Sequence, residues 1–254
     1  MAQIFYYDSV DLFNATTTDG TVDNGGISQP TFTASSSLVN EERALDQSIS
    51  TEITSFAQND ALQINLGSAK SIDFFAVYFT ASEADDLRYG YDTASSGQLD
   101  ASSAITDTFS PGWTVNHIGT TTKQYWYAIA AGSGGLVGLS EIIIGQRLEF
   151  EFHPDIGTIE KDTFATTTKR SMGGQEYGVR LHEPISDFKL NFANISSTFK
   201  TSLISMQDDV QDFKKFIWYD ETNYHYVKLT QPIEFTEVAF ERFSASINLR
   251  QQLN

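Results

Sequence analysis

No cysteine occurs among the 254 residues. Disulfides, thiolate metal sites, cysteine nucleophiles and Cys-ligated iron–sulfur clusters are therefore excluded. Basic residues are scarce: 16 Lys and Arg stand against 33 Asp and Glu, a formal charge of -17. Phosphate backbones and anionic membrane surfaces repel such a chain, so neither nucleic-acid binding nor membrane docking is expected. No stretch approaches the roughly 20 apolar residues of a membrane-spanning helix. Met1 to Asp8 lacks the basic flank and apolar run of a signal peptide, which predicts synthesis in a cytoplasm without export.

Catalytic and metal signatures are missing as well. The four histidines, His117, His153, His182 and His225, are scattered without an i, i+4 pair and read as unrelated side chains. No Gly-x-Ser-x-Gly elbow appears, and Gly132 to Gly135 lacks the Gly-Lys-Ser/Thr of a phosphate loop. No cofactor is implied, and the chain reads as a protein without catalysis.

What is present is β structure. Aromatics are abundant, with 19 Phe and 11 Tyr, and 40% of residues are hydrophobic, enough for packed cores. Leu62, Ile64 and Leu66 alternate with polar neighbours and stop at Gly67, the pattern of a half-buried strand ending in a turn. Ile72 to Phe79 is almost continuously apolar, as in a strand buried on both faces. Further strands are predicted over Gln124 to Ala130, Leu136 to Ile144, and around Leu148, Phe150 and Phe152. The last strand carries Phe243, Ala245, Ile247 and Leu249 on one face. Gly/Ser-rich turns separate the runs, as at Ser95 to Gly97 and Gly132 to Gly135. Ala15 to Pro30 and Asp155 to Gly174 read as long polar loops.

One helix is predicted, over residues 197–215. Phe199, Leu203, Met206, Val210 and Phe213 fall on one stripe, expected to pack on a sheet of its own domain. Ser196 or Ser197 can cap its start, while Lys214 and Lys215 suit its negative end. Charge and texture change near residue 148. Residues 1–148 hold five basic and 17 acidic residues, and residues 149–254 hold 11 and 16. Two β-rich domains with those bounds are predicted: a jelly-roll sandwich, then a β-sandwich carrying the helix.

Candidate contact residues are few. Trp126 lies inside a strand pattern and Trp218 follows the helix, so both are expected in the core. Trp113, beside Pro111 and Gly112, is placed on a loop and is the candidate for a surface role. Glu83, Asp85 and Asp86 open an acidic stretch reaching Asp92, read as a solvated loop. Asp85 and Asp86 are the other candidate ligand contacts, although the EF-hand spacing of a calcium loop is absent.

Two pairs of segments carry a resemblance. Ala61 to Gly67 (ALQINLG) followed by Ser71 to Val77, and Gln124 to Ile129 (QYWYAI) followed by Leu139 to Leu148, resemble the galactose-binding-like, discoidin-type β-sandwich. The same combination resembles structural proteins of tailed bacteriophages. Phe216 to Tyr219 and the last hairpin are similar to the ring-forming domain of tail-tube and distal-tail proteins. The resemblance implies a non-enzymatic virion protein of the distal tail or baseplate. Its partners would be its own copies in a hexameric ring and tail-tube, hub or fibre proteins, and it would assemble in the host cytoplasm. The alternative is a carbohydrate-binding module contacting the host cell surface. A glycan-cleaving enzyme with an appended module is a third reading, disfavoured by the missing motifs.

Overall fold

A computed structural model describes residues 2–12, 16–17, 31–34, 40–53, 57–58, 60–81, 83–92, 105–130, 138–155, 159–163, 166–180, 184–211 and 213–252. Among the described residues the fold is all-β with one α-helix, and it includes a jelly-roll sandwich. The chain divides into two compact units, Tyr6–Arg147 and Leu148–Leu253, the latter joined by Met1–Phe5. The early strands are β1 (Ile4–Tyr7), β2 (Thr16–Thr17), β3 (Thr31–Ala34), β4 (Ala61–Phe79), β5 (Glu83–Tyr91), β6 (Ile105–Phe109), β7 (Gly112–Ala130) and β8 (Leu139–Glu149).

The jelly-roll unit is organised by one long antiparallel pair. β4 and β7 run together from Ala61↔Ile129 to Phe79↔Gly112, interrupted by irregularities between Asn65 and Lys70 and between Ile72 and Phe74. Before the first interruption, β3 flanks β4 while β5 and then β6 extend from β7. Beyond the second, β8 flanks β4, pairing Phe74↔Gly145 through Phe79↔Leu139. The ladder thus has two arms. Leu62, Ile64 and Trp126 of one arm, and Phe75, Val77, Ile142 and Ile144 of the other, share a single buried cluster. That is a sandwich in which two strands pass from one layer to the other.

The inner face of β4 changes parity along its length. Leu62, Ile64, Leu66 and Ile72 point inward, then Phe75, Val77 and Phe79. The slip falls at Asp73, between the registered pairs at Ile72 and Phe74. The two strands advance unequally there, two residues on β4 against four on β7, and the inward set of β4 shifts phase between Ile72 and Phe75. This explains the nearly unbroken apolar run: Phe74 and Ala76 are buried on the outer face while Phe75 and Val77 fill the core.

The separate strands predicted at 62–66 and 72–79 are therefore one. Gly67 is not a terminus but a positive-φ position (72°) at the turn between the arms. Leu139 to Leu148 is likewise continuous in β8. The acidic stretch read as a loop is strand β5. Its acidic start hid an apolar continuation, since Leu87 and Tyr89 are fully buried. Trp113 also sits in a strand, the second residue of β7, because its aromatic partner Tyr78 lies directly across the ladder.

The second unit contains β9 (Ile159–Thr163), β10 (Thr166–Arg170), β11 (Glu176–Arg180), β12 (Ile185–Ser196), α1 (Ser197–Val210), β13 (Phe216–Tyr219), β14 (Tyr224–Leu229), β15 (Glu234–Ala239) and β16 (Arg242–Gln251). β12 pairs with β9 on one side and with β16 on the other. The far edge of β16 takes β15 along its first half and β14 at its end. Phe188, Leu190 and Phe192 stand opposite Leu249, Ile247 and Ala245, so the alternation read for the last strand marks the buried face. The polar stretch from Asp155 to Gly174 contains β9 and β10 rather than one long loop. The β10–β11 hairpin escaped recognition because Thr167 to Arg170 expose both faces and give no apolar period.

α1 follows β12 without a linker. Ser196 caps it, its Oγ accepting from the Phe199 N–H at 3.0 Å. Glu151 secures the cap, accepting from the Ser196 N–H at 3.1 Å and from its hydroxyl. Phe199, Leu203, Met206 and Val210 are buried, with Phe199 against Phe192 at 6.1 Å between ring centres. The helix stops earlier than predicted. Gln211 adopts φ 53 and ψ -147, which breaks the turn and leaves Phe213 45% exposed beyond the stripe. Lys214 and Lys215 lie past the end, and no basic residue occupies the last turn. The loops predicted around Ser95 to Gly97 and Gly132 to Gly135 fall outside the described residues, as does most of Ala15 to Pro30.

Candidate functional site

The outer face of the second jelly-roll arm gathers the chemically notable side chains. Register places them in rows. Trp113, Tyr78 and Glu141 lie side by side on β7, β4 and β8; Val115, Ala76 and Ile143 form the next row; His117, Phe74 and Gly145 form the third. Cross-strand neighbours on one face sit about 4.5–5.5 Å apart, so each row is a contact line. Trp113 and Tyr78 are both half-buried and meet edge-to-face, 5.2 Å between centres at 67°. That geometry suits the quadrupoles of the two rings and leaves aromatic surface toward solvent. Glu141 at the end of the row is buried, as are Ala76 and Ile143 behind it.

At the far row, a hydrogen-bonded chain crosses the same face. Arg147 Nη1 lies 3.0 Å from His117 Nδ1, and His117 Nε2 lies 2.7 Å from the Tyr6 hydroxyl. A guanidinium has no lone pair to offer, so Nδ1 accepts and the proton sits on Nε2, which donates to Tyr6. This tautomer is neutral. Tyr6 packs edge-on against Phe74 at 5.1 Å. Gly145 permits the close approach of the Tyr7 carbonyl and Ser9 amide, where a Cβ would collide with backbone.

The predicted contacts are only partly brought together. Asp85 and Asp86 lie on β5, which joins β7 at residues 126–130, the opposite end of that strand from Trp113. Their side chains are outside the described residues. Tyr78 does not stand out in the sequence, because it lies in the nearly unbroken apolar run from Ile72 to Phe79. Alternation of Phe74, Ala76 and Tyr78 was its available signal. Trp126 and Trp218 are buried, as expected of core residues.

Of the histidines, His225 Nε2 pairs with Asp220 Oδ2 at 2.8 Å and stacks on Trp218. His153 Nδ1 is 3.7 Å from Glu221. His182 lies outside the described residues. Among the described residues no three His, Asp or Glu side chains cluster as metal ligands, and no helix is long and apolar enough to cross a membrane.

No protein-family model matches the chain, and no curated protein matches it in sequence. Solved structures do. The family 32 carbohydrate-binding module of C. perfringens NanJ, solved with galactose, is 16% identical with a TM-score of 0.36, covering 47% of this chain and 93% of its own. A Streptococcus pneumoniae fucose-binding module is 14% identical with a TM-score of 0.36, covering 50% and 97%. Chitosan-binding module 1 of a Paenibacillus sp. IK-5 chitosanase/glucanase is 20% identical with a TM-score of 0.34, covering 46% and 94%.

These matches correct the bacteriophage expectation. They are to carbohydrate-binding modules and not to tail proteins, which overturns the virion, tail and baseplate assignment. The hexameric ring, the tail-tube, hub and fibre partners, and the virion location are overturned with it. The tail-tube-like description of the second unit has no support either. The physical reason lies in what the quoted motifs encode. The alternating ALQINLG strand with its positive-φ glycine, and the YW strand across from it, build the corner where β4 and β7 change layers. Any sandwich closed this way needs that corner, and nothing in it specifies assembly.

Proposed function

We propose that this protein is a non-catalytic carbohydrate-binding protein whose jelly-roll unit, treated as its own domain, carries the contact surface. The observation that carries this reading is the half-exposed Trp113–Tyr78 pair, aligned across β7 and β4 on the outer face of the sandwich. An aromatic face accepts the C–H face of a pyranose, burying apolar surface while the sugar hydroxyls stay in water. Both rings rise from paired strands rather than from a loop, so little side-chain freedom is lost on binding. The acidic surface supports the choice of a neutral or cationic glycan over a sulfated one.

A glycan array followed by calorimetry on the positive glycans tests the reading. Saturable binding is expected, weakened at least about tenfold in Trp113→Ala, or about 1.4 kcal/mol. Tyr78→Ala should weaken it less, because it removes the support of the Trp113 ring rather than the stacking face. An array without positives, or affinity unchanged in Trp113→Ala, overturns it.

A further inference from the structure

The second unit holds a cleft of about 480 Å³ between the last turn of α1 and the connection from β14 to β15. Gln207, Asp208 and Gln211 form the helical wall; Thr230, Gln231 and Pro232 form the other, with Leu229 at the base. The volume falls within the range of about 300–1,000 Å³ usual for small-ligand sites. We propose that this cleft binds a small uncharged polyol of hexose size, through hydrogen bonds rather than ring stacking. It does not rest on the aromatic surface of the jelly-roll unit.

The donor and acceptor inventory carries the inference. Gln207 Oε1 accepts from the Ile233 N–H at 2.6 Å. That bond fixes which end of the carboxamide is which, leaving the two Nε2 hydrogens without a partner among the described residues. The Thr230 hydroxyl donates to the Asn248 carbonyl at 3.3 Å, so its oxygen remains an acceptor. Asp208 is acceptor-only and has no ion-pair partner among the described residues. Gln211 and Gln231 add amides that both donate and accept. A hydroxyl likewise donates and accepts, so a ring of neighbouring hydroxyls can satisfy this set, and Leu229 and Pro232 offer apolar surface to its C–H face.

Other ligand classes fit poorly. Among the described residues no Lys, Arg or His lines the cleft, which leaves a phosphate or carboxylate without a charged partner there. No aromatic ring is among the described lining residues, so a nucleobase finds no stacking partner in them. Asp208 is the one carboxylate among the described lining residues, and a hard divalent cation takes several oxygen ligands. Gln211 adds a second observation: a non-glycine residue held at φ 53 and ψ -147, where side chains are strained, forms part of the wall. Such strain concentrates at ligand sites.

The test is titration of the full chain with D-glucose, D-galactose and myo-inositol, with inorganic phosphate as the charged control. It is read by NMR shifts of the glutamine side-chain amides. At least one polyol should produce saturable shifts at Gln207 and Gln231. The dissociation constant should rise at least fivefold in Asp208→Ala and in Gln231→Ala, both exposed positions at which folding is retained. Trp113→Ala should leave these shifts unchanged, which separates failure of this site from failure of the aromatic one. Absence of saturable shifts with all three polyols overturns the proposal. So does tighter binding of phosphate, or polyol binding indifferent to both cleft substitutions.

Discussion

β4 in the jelly-roll unit and β12 in the second unit are both long strands at the heart of their ladders, yet they bury their surroundings differently. β12 keeps one face inward from Phe188 to Phe192, and the chain then lays α1 against it. β4 changes its inward face at Asp73 and crosses from one layer to the other, so no helix is needed to cover it. A sandwich closed by its own strands depends on backbone fit at the crossing and along the neighbouring strand. A sheet covered by a helix depends on how the helix is started and stopped. Each therefore has a different weak point.

The largest expected effect lies at the backbone contact of the jelly-roll. A Cβ on Gly145 would meet the Tyr7 carbonyl and the Ser9 amide, neither of which can swing aside as a side chain can. Gly145→Ala should cost at least about 3 kcal/mol. The same change at Gly178 in the second unit, where nothing lies within 4 Å, should shift stability by less than about 0.5 kcal/mol. Denaturant unfolding of the two variants measures the contrast, and equal losses would dissolve it.

A smaller loss is expected at the start of the helix. Ser196→Ala removes the acceptor for the Phe199 N–H and one of the two groups held by Glu151. The cost should be about 1 kcal/mol. Amide exchange should quicken in the first turn of α1 while the β4–β7 ladder is unaffected.

The smallest effect is confined to acid. Burial pushes the Asp220 carboxyl upward, but the backbone amides of Asn223 and Thr222 and the His225 side chain outweigh it and hold it below the usual aspartate range. A carboxyl lowered on folding stabilises above its unfolded pKa, about 3.9, and that contribution fades as pH falls through the folded value. Asp220→Asn should therefore flatten the decline of stability below about pH 4 and leave the jelly-roll unit untouched. Unfolding midpoints taken from pH 6 down to pH 3 check this.

Alternation and helical spacing made much of this architecture legible. Leu62, Ile64 and Leu66, the C-terminal strand, and the stripe from Phe199 to Val210 all emerge where periodicity places them. Joins between elements were not legible. Whether Gly67 ends a strand or bends one depends on a partner strand some sixty residues away. Gln211 carries no compositional sign that it will take a positive φ, so the helix was read too long. β5 and the β10–β11 hairpin were hidden because charge and threonine mask strands that lack a clean apolar period. At the candidate site, Trp113 was singled out by residue type, but Tyr78 became visible only through register. The cleft could not be read at all, since it is assembled from a helix end and a connection some twenty residues later.

Asp73 has one more consequence. From Phe74 to Phe79, both alternating sets of side chains are greasy enough to serve as an interior: Phe75, Val77 and Phe79, or Phe74, Ala76 and Tyr78. Only the phase set at Asp73 decides between them. Loss of a single residue there would do more than shorten a strand. It would swing Tyr78 inward from beneath Trp113 and move Phe75 to the outer face, so that the two faces of the strand traded places.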